Sequence, residues 1–256
     1  SIGKRHARNL LALDQKVVMV EVNRERATEV AAELAVPVFH SIEEATSSTP
    51  DIAVAFVCAP SRFHLEHATL CAERGWDLFV EKPLSDTLEG LPELIALADQ
   101  KHLITMVGSN WKWYPLFQEM KKVLDSGVLG RMLSARAQFG QYLPDWHPWE
   151  DYRQGYSANK RLGGGILLDS HEFDYLTWFL GKASQVMCMA DHVSNLEIDV
   201  EDVAAVLLRF ESGAIGEIHL DYVQRFYQRT FEFFGEKGSM WWSMSEKKVI
   251  VKIKDQ

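Results

Sequence analysis

Lys82 stands where a short apolar run meets a proline. Residues 77–80 read Asp-Leu-Phe-Val, as a buried strand would, and Glu81, Lys82 and Pro83 follow directly. Proline cannot donate a ladder hydrogen bond and biases the residue before it away from helix, so the strand is predicted to stop there. Ligands bind at the carboxyl ends of strands in open α/β sheets. An amine at that edge can stabilise negative charge on a substrate oxygen, although an isolated strand-end lysine more often serves only solubility.

A second group of acid–base residues lies between Asp169 and Asp174. His171 and Asp174 are three residues apart, so on a helix they share a face. A carboxylate there can hold one imidazole nitrogen and orient the other for proton transfer. The glycines at 163–165 let the backbone approach a ligand closely. A polar helix start, with Asp169 as cap and His171 in solvent, explains the same residues.

Gly3 and Glu21 have the spacing of a dinucleotide-binding unit. In a Rossmann unit the last glycine of G-x-G-x-x-G opens a helix, and an acid about 20 residues later binds ribose hydroxyls. A helix cap and a surface glutamate explain the same pair. We expect the first strand and the leading glycines to lie upstream of this sequence, which leaves the pyrophosphate site incomplete. The acid favours NAD, and Arg24 keeps NADP open.

A loop follows the most hydrophobic predicted strand, at 51–58. It begins Ala59-Pro60-Ser61, and its backbone amides and the Ser61 hydroxyl can lie against a dinucleotide. An ordinary turn with Ser61 as the helix N-cap fits equally well. His64, in the helix that follows, is more typical of a helix face than of a catalyst.

The elements that must position these residues change character near residues 108–115. Up to residue 108 strands and helices alternate, which is typical of βαβ units around a parallel sheet. The predicted strands there are 16–22, 36–39, 51–58, 77–80 and 103–108, with helices at 24–34, 62–74 and 86–100. Beyond Asn110, helices are predicted at 115–126 and from the triple glycine to Gly181, with strands at 131–142, 184–192, 202–211, 214–224, 229–235 and 248–254. The predicted domains are residues 1–110 and 111–256.

Composition limits the classes of function. The chain has 256 residues, 47% hydrophobic and 25% charged, and a formal net charge of −9. This is globular composition, and the negative charge counts against nucleic acid or an anionic membrane as partner. No apolar run approaches the ~20 residues that span a bilayer, and no signal peptide is recognisable, so we expect a cytoplasmic protein. Cys58, Cys71 and Cys188 lack metal-ligand spacing and indicate reduced thiols, and we expect no metal site.

Together and in order, these motifs resemble the glucose–fructose oxidoreductase / inositol dehydrogenase (Gfo/Idh/MocA) family. The series runs through the glycine tail, the strand-end acid, Ala59-Pro60-Ser61 with His64, Glu81-Lys82-Pro83, Asn110–Pro115, and the triple glycine with His171, Asp174 and Gly181. The resemblance covers essentially the whole chain. It implies an α/β Rossmann domain lacking its first strand, followed by an α+β domain with a large, mostly antiparallel open sheet.

The resemblance also implies a chemistry: hydride transfer between NAD, or NADP, and a secondary hydroxyl or ketone of a sugar, cyclitol or nucleotide-sugar. Lys82 would lie beside the nicotinamide, His171 would transfer the proton, and Asp174 would orient His171. Cofactor contacts are expected from Gly3, Glu21, Arg24, Ala59, Pro60, Ser61, His64, Glu81, Lys82, Asn110 and Lys112. Substrate contacts are expected from Lys82, Trp149, Tyr152, Arg153, Asp169 and His171. The gap between Asp169 and His171 is shorter than is usual in the family, which puts a role for Asp169 in question.

Alternatives remain open at this point. The aromatic loop at 146–153 fits packing on a sugar ring or packing in a domain interface. Some members of the family sense dinucleotides as transcriptional co-regulators, but the presence of Lys82 and His171 counts against that function. Others act as lyases or glycosidases that use bound NAD transiently. The family resemblance further implies a dimer or tetramer formed through the C-terminal sheet.

Overall fold

The structure is a computed structural model that describes residues 1–254. It divides into two compact units, Ser1–Gly108 and the residues from Ser109 onward. The predicted boundary, between residues 110 and 111, lies close to this division. Gln256, the predicted end of the second domain, lies outside the described residues.

The first unit alternates helices with parallel strands. Its helices are α1 (Ile2–Ala12), α2 (Arg24–Leu34), α3 (Ile42–Ser48), α4 (His64–Glu73) and α5 (Leu91–Gln100). Its strands are β1 (Met19–Val20), β2 (Val38–Phe39), β3 (Val54–Val57), β4 (Asp77–Val80) and β5 (Thr105–Val107). β1 pairs with β2, and β3, β4 and β5 form a second parallel sheet in that order. This arrangement confirms the α/β class predicted for the first domain.

Two helices differ from the prediction for local reasons. α3 was not predicted, although Ser41 accepts a hydrogen bond from the Glu44 amide and the Glu44 carboxylate accepts one from the His40 amide. That reciprocal pattern is close to a capping box, a recognisable signal in sequence. α5 begins at Leu91 rather than near residue 86, because Gly90 adopts a left-handed conformation (φ +80°) just before it.

The second unit is built on a seven-stranded sheet with two main helices. Its helices are α6 (Pro115–Asp125) and α7 (His171–Leu180), and its strands are β6 (Met132–Gly140), β7 (Ala183–Asp191), β8 (Val203–Phe210), β9 (Ile215–Asp221), β10 (Gln228–Gly235), β11 (Gly238–Ser243) and β12 (Lys248–Ile253). The strand order is β12-β11-β10-β6-β9-β8-β7, and of the pairs described within residues 1–254 of this sheet only β6–β9 is parallel. The predicted large, mostly antiparallel open sheet is confirmed, while β11 was missed as a separate strand.

One face of this sheet carries the larger hydrophobic core. Phe117 of α6 and Tyr175 of α7 pack with Phe231 of β10 and Trp242 of β11, all essentially inaccessible to solvent. Inward and outward residues alternate along the strands, as a sheet with one covered face requires. α7 therefore packs against the sheet, and this packing fixes the position of the first residues of α7.

Candidate active site

The loops that leave β3 and β4 start side by side in the first unit. Val57 and Val80 are in register across the two parallel strands, so residues 59–64 and 81–83 emerge at one edge of the sheet. We call these two segments the strand-end cluster. The expected lysine lies in it: Lys82 is half-buried directly beyond β4, and its peptide bond to Pro83 is cis.

Glu81 is held from two sides within the first unit. Its Oε1 lies 2.7 Å from Nε2 of His6 on α1, and its Oε2 accepts a hydrogen bond from the amide of Lys82 at 3.2 Å. The His6 ring in turn packs against Phe56 and Phe79, with centroids 5.5 and 5.0 Å away. The carboxylate therefore anchors the backbone of Lys82 to the sheet and to α1.

His64 ties the two loops together. This buried side chain places Nδ1 2.7 Å from the Pro83 carbonyl oxygen and Nε2 2.6 Å from the Ala59 carbonyl oxygen. Carbonyl oxygens only accept, so a neutral imidazole donates to one of them and an imidazolium to both. Ser61 is buried and opens a short 3₁₀ turn, while Phe63 rather than Ser61 occupies the N-cap of α4.

The predicted ribose-binding residues lie where a strand meets a helix. Glu21 directly follows β1, and its Oε1 accepts a hydrogen bond from the amide of Asn23, the N-cap of α2. Arg24 is the exposed first residue of α2. Gly3 lies in the first turn of α1, where an added Cβ would come 3.4 Å from the Cβ of Cys58. A strand-end carboxylate and a closely packed glycine at a helix start both fit a bound dinucleotide.

The thiols of the first unit are not poised for chemistry. Burial, assisted by the nearby Glu81 carboxylate, raises the pKa of Cys58 to about 12. Burial likewise raises the pKa of Cys71 to about 11. Both thiols therefore stay protonated at neutral pH, which excludes Cys58 and Cys71 as thiolate nucleophiles.

Five buried polar residues gather at the start of α7 in the second unit. We call them the helix-start cluster, and they are Asp169, His171, Glu172, Tyr175 and Arg229, each less than 10% exposed. The first four belong to α7 or the turn before it, and Arg229 comes from β10. Ser170, not Asp169, is the N-cap of the helix, so the alternative in which Asp169 caps α7 and His171 faces solvent is wrong.

His171 is oriented by the residue one turn further along the helix. Its Nδ1 lies 3.0 Å from the hydroxyl of Tyr175, and the two rings stack with an interplanar angle of 8°. The same hydroxyl accepts a hydrogen bond from the Trp111 amide at 3.0 Å. Burial raises the pKa of Tyr175, so the hydroxyl stays neutral. Nε2 lies 3.8 Å from Oδ1 of Asp169.

Arg229 joins the two carboxylates of the cluster. Its Nη2 donates to Oδ2 of Asp169 at 2.7 Å, and its Nε lies 2.8 Å from Oε1 of Glu172, a close ion pair whose N–H is not aimed along the hydrogen-bond direction. Burial by itself lowers the pKa of Arg229, but the carboxylates of Glu172 and Asp169 outweigh it and the pKa rises above its usual range. The guanidinium is therefore a permanent buried charge.

Asp174 contacts a different predicted site residue. Its Oδ1 accepts a hydrogen bond from the Lys112 ammonium at 2.8 Å, whereas its Oδ2 is buried and has no hydrogen-bond partner among residues 1–254. Lys112 and the exposed Asn110 belong to the 3₁₀ turn Asn110–Trp113. Orientation of His171 by Asp174 stays a prediction, since the hydrogen bond described at Nδ1 involves Tyr175.

The predicted substrate residues of the aromatic loop lie mainly at the surface. Trp149 is 75% exposed, and the hydroxyl of Tyr152 accepts a hydrogen bond from the Glu197 amide. Arg153 pairs with Asp151 at 2.8 Å and with the Glu197 carboxylate at 2.7 Å. Its charge is thus already balanced within the loop, and contact with a substrate stays a prediction for these three residues.

Sequence reasoning missed three residues that the structure places in contact with predicted ones. Tyr175 was detectable, because it lies four residues after His171 and helical neighbours at that spacing meet. His6, the partner of Glu81, and Arg229, the partner of Asp169, carried no local signal. Within residues 1–254 no group of three or more His, Cys, Asp or Glu side chains is arranged to hold a metal ion. In the same residues no helix combines the length and apolar character needed to cross a membrane.

Comparison with known proteins assigns both units to one family. Residues 1–109 match the model described as oxidoreductase family, NAD-binding Rossmann fold. Residues 117–241 match the GFO/IDH/MocA C-terminal domain. The two matches together cover most of the chain, and the first ends and the second begins close to where the two units divide.

Individual relatives agree with these matches. The chain is 28% identical to levoglucosan dehydrogenase of Pseudarthrobacter phenanthrenivorans, over 90% of this chain and 65% of that protein. It is 29% identical to myo-inositol 2-dehydrogenase of Thermotoga maritima, over 93% of this chain and 71% of that protein. A solved structure of levoglucosan dehydrogenase in complex with NADH superposes with a TM-score of 0.86 at 26% identity, covering 100% of this chain and 74% of the other.

The chain therefore spans about two thirds of the length of the curated relatives that it matches. Both of its units are nevertheless recognised by models of the same family, and the order of its motifs is that of the resemblance described above. The chain belongs to the Gfo/Idh/MocA oxidoreductase family.

Proposed function

We propose that this chain is part of an enzyme that transfers hydride between NAD and a secondary hydroxyl or ketone of a sugar, cyclitol or nucleotide-sugar. The observation that carries the proposal is His171, a buried imidazole whose Nδ1 is fixed by the Tyr175 hydroxyl. A positioned imidazole is the usual general base for a hydroxyl proton. The relatives named for levoglucosan and myo-inositol support a polyol or sugar as substrate.

His171 accepts the proton at Nε2 in this mechanism. In the tautomer that leaves Nε2 unprotonated, Nδ1–H donates to the Tyr175 hydroxyl oxygen, which has a lone pair for it beside the one used by the Trp111 amide. Asp169, 3.8 Å from Nε2, stabilises the imidazolium that forms. In the reverse direction the imidazolium returns the proton to a ketone oxygen.

Lys82 supplies positive charge in this proposal. Its backbone is anchored by the Glu81 carboxylate at the carboxyl end of β4, the edge at which ligands bind in α/β sheets. The ammonium stabilises the oxyanion that develops as the hydroxyl proton leaves.

The first unit has residues that would hold the cofactor. Gly3 at the start of α1 and the loops of the strand-end cluster would lie along the dinucleotide, and the Glu21 carboxylate would accept hydrogen bonds from ribose hydroxyls. A carboxylate repels a 2′-phosphate, so we propose NAD rather than NADP. NAD supplies the hydride acceptor when it is bound.

Titration of the purified chain with NADH and NADPH, followed by nucleotide fluorescence, tests the cofactor assignment. We expect saturable binding that is at least tenfold tighter for NADH, because the Glu21 carboxylate would repel the 2′-phosphate of NADPH. Glu21→Ala should reduce that preference. Equal or tighter binding of NADPH would contradict the role of Glu21 and would indicate that Arg24 determines the cofactor preference.

Reduction of NAD by a panel of sugars, cyclitols and nucleotide-sugars then tests the chemistry. Lys82→Ala and His171→Ala should each abolish turnover and leave NADH binding intact, because neither side chain is expected to supply most of the binding energy. Lys101→Ala, an exposed lysine of the same unit as Lys82, is the matched control and should change neither. Unchanged turnover in either site variant would contradict the assignment of that residue.

The open face of the C-terminal sheet supports a further part of the proposal, assembly with a second copy. Met187 and Met189 of β7 are 72% and 82% exposed, and the register places Met187 beside the half-exposed Leu207 of β8 on the same face. Exposed apolar patches of this kind mark protein interfaces. Light scattering of the chain should give a multiple of its 29.2 kDa mass, and Met187→Glu with Met189→Glu should restore the monomer.

A further inference from the structure

The side chain of Arg229 is buried and is held by aromatic rings as well as by its carboxylate partners. It lies on β10 in register with Phe139 of β6, and it is only 5% exposed. Its guanidinium carbon sits 4.2 Å from the centre of the Phe139 ring and 5.0 Å from that of Trp111. Arginine stacks well on aromatic faces. The two rings leave the planar group little freedom to turn away from its carboxylate partners.

Asp169 is shared between Arg229 and His171. Its Oδ2 accepts the hydrogen bond from Nη2 of Arg229 at 2.7 Å, while its Oδ1 lies 3.8 Å from Nε2 of His171. A carboxylate held at one oxygen by a fixed guanidinium has its second oxygen fixed as well. The position of Asp169 relative to the imidazole is thereby set from the opposite side of the carboxylate.

The charge balance of the helix-start cluster supports the same role for Asp169. One guanidinium faces two carboxylates, because Glu172 lies 2.8 Å from Nε on its other side. Glu172 alone would neutralise Arg229, so burying Asp169 as well adds a desolvation cost that the ion pair does not require. The surplus negative charge matches the positive charge that His171 gains when it takes up a proton.

We propose that Arg229 is a positioning residue that holds Asp169 against His171 and so stabilises the imidazolium formed during proton transfer. The titratable and charged groups facing this site come from four places in the second unit. They are Asp169, Glu172, Asp174 and Tyr175 from the α7 segment, Arg229 of β10 with Tyr227 just before it, Tyr222 just after β9, and Lys112 through Asp174. The inference rests on the proposed role of His171, but its primary test needs no substrate.

The test is the titration of the His171 ring by NMR in the chain without ligands, with the signal assigned by its loss in His171→Gln. Arg229→Lys keeps the positive charge and removes the fork that grips Asp169. We expect the titration midpoint of His171 to fall by about one pH unit, a tenfold loss of proton affinity. Asp169→Asn should lower it by a similar amount, and the double variant should lower it little further, because both changes remove one interaction.

Glu172→Gln is the matched control. It removes the other carboxylate partner of Arg229 but leaves the hydrogen bond from Arg229 to Asp169, so it should lower the midpoint less than Asp169→Asn does. Should Arg229→Lys fail to fold, the paired change Arg229→Gln with Glu172→Gln replaces the ion pair by two amides of similar shape. The midpoint of the paired variant is compared with that of Glu172→Gln alone, since the two differ only at Arg229. Loss of the positive charge by itself would raise the midpoint of His171, so a midpoint below that of Glu172→Gln identifies positioning.

Two results would overturn the inference. An unchanged midpoint in Arg229→Lys would show that only the charge of Arg229 matters, and additive effects of Arg229→Lys and Asp169→Asn would show that Arg229 does not act through Asp169. Activity separates this failure from failure of the proposed function. If His171→Ala retained turnover, the general base would be misassigned, whereas normal turnover in Arg229→Lys with an inactive His171→Ala would remove only the positioning role.

Discussion

The strand-end cluster and the helix-start cluster each hold a buried histidine, but by different means. His64 is bracketed by two neutral backbone carbonyls, those of Ala59 and Pro83, from segments close to it in the chain. His171 is bracketed by the Tyr175 hydroxyl and by Asp169, whose charge is balanced in turn by the distant Arg229. Where parallel strands end, the backbone itself provides partners. A cluster of buried charges instead requires a side chain from elsewhere in the fold.

The largest effect that this comparison predicts is in the helix-start cluster. Glu172→Ala should destabilise the second unit by about 3–5 kcal/mol, because it leaves the buried Arg229 with half of its countercharge. Urea unfolding followed by tryptophan fluorescence measures this, since seven of the eight tryptophans lie beyond Ser109. The control is Glu217→Ala, which breaks an exposed pair with Arg136 and should cost at most about 1 kcal/mol. Equal costs would show that burial does not distinguish the two pairs.

The strand-end cluster should respond less. His64→Leu removes the donor that serves the partly buried carbonyls of Ala59 and Pro83, and we expect a loss of about 1–3 kcal/mol. Binding of NADH should weaken as well, because the loops that His64 joins are no longer tied together. His67→Leu, on the same helix, is the matched control and should leave NADH binding unchanged. A loss as large as that of Glu172→Ala would mean that His64 is held by charge, as an imidazolium, rather than by neutral hydrogen bonding.

The difference between local and distant partners also explains which residues of the two clusters could be predicted from the sequence. The end of β4 at Val80 was predictable because Pro83 stops a strand through local chemistry, and the βαβ alternation followed from residue patterns of short range. Glu81, Lys82 and the 59–61 loop were found in this way. Apart from β4, which was predicted with its observed bounds, the strands of the first unit were predicted too long, since an apolar run also includes flanking residues that do not join the ladder.

In the second unit the sequence pattern predicted six of the seven strands, all but β11, and did not predict the partners of the site. Arg229 lies far along the chain from Asp169, and only the pairing of β10 with β6 brings it to the start of α7. Periodicity predicts which face of a strand is covered and carries no information on which helix covers it. His171 was therefore recognised as a candidate base, while the ion pair behind it was not.

A smaller effect is expected from the hydroxyl that orients His171. Tyr175→Phe should cost about 1–2 kcal/mol of stability, because the Trp111 amide and Nδ1 of His171 lose a buried partner. It should lower kcat more than it changes KM, since the ring keeps its packing while the imidazole loses its fixed orientation. Tyr152→Phe, which removes a hydroxyl bonded to the Glu197 amide near the surface, is the control for stability. Unaltered kcat in Tyr175→Phe would show that packing alone orients His171.

The smallest effect is expected at His219, an exposed histidine that has a carboxylate partner but is not buried. His219 of β9 pairs with Asp221 at 3.0 Å, but its side chain is 47% exposed. The hydrogen bond to Asp221 raises the pKa of His219 above 6.5, against the opposing effect of burial. A raised pKa means that the folded chain binds the proton more tightly, so the stabilisation is complete below 6.5 and is lost as pH rises through the folded pKa.

His219→Gln should therefore cost more stability at about pH 5.5 than at about pH 8.5, with a difference below about 1 kcal/mol that shrinks in high salt. The measurement is urea unfolding of both proteins at the two pH values. If the difference were instead as large as the cost of Glu172→Ala, a carboxylate partner would be sufficient for strong stabilisation at any depth. A small difference would show that a carboxylate partner alone is not sufficient. Burial, together with the Arg229 guanidinium that balances the buried carboxylates, would then account for the strength of the helix-start cluster.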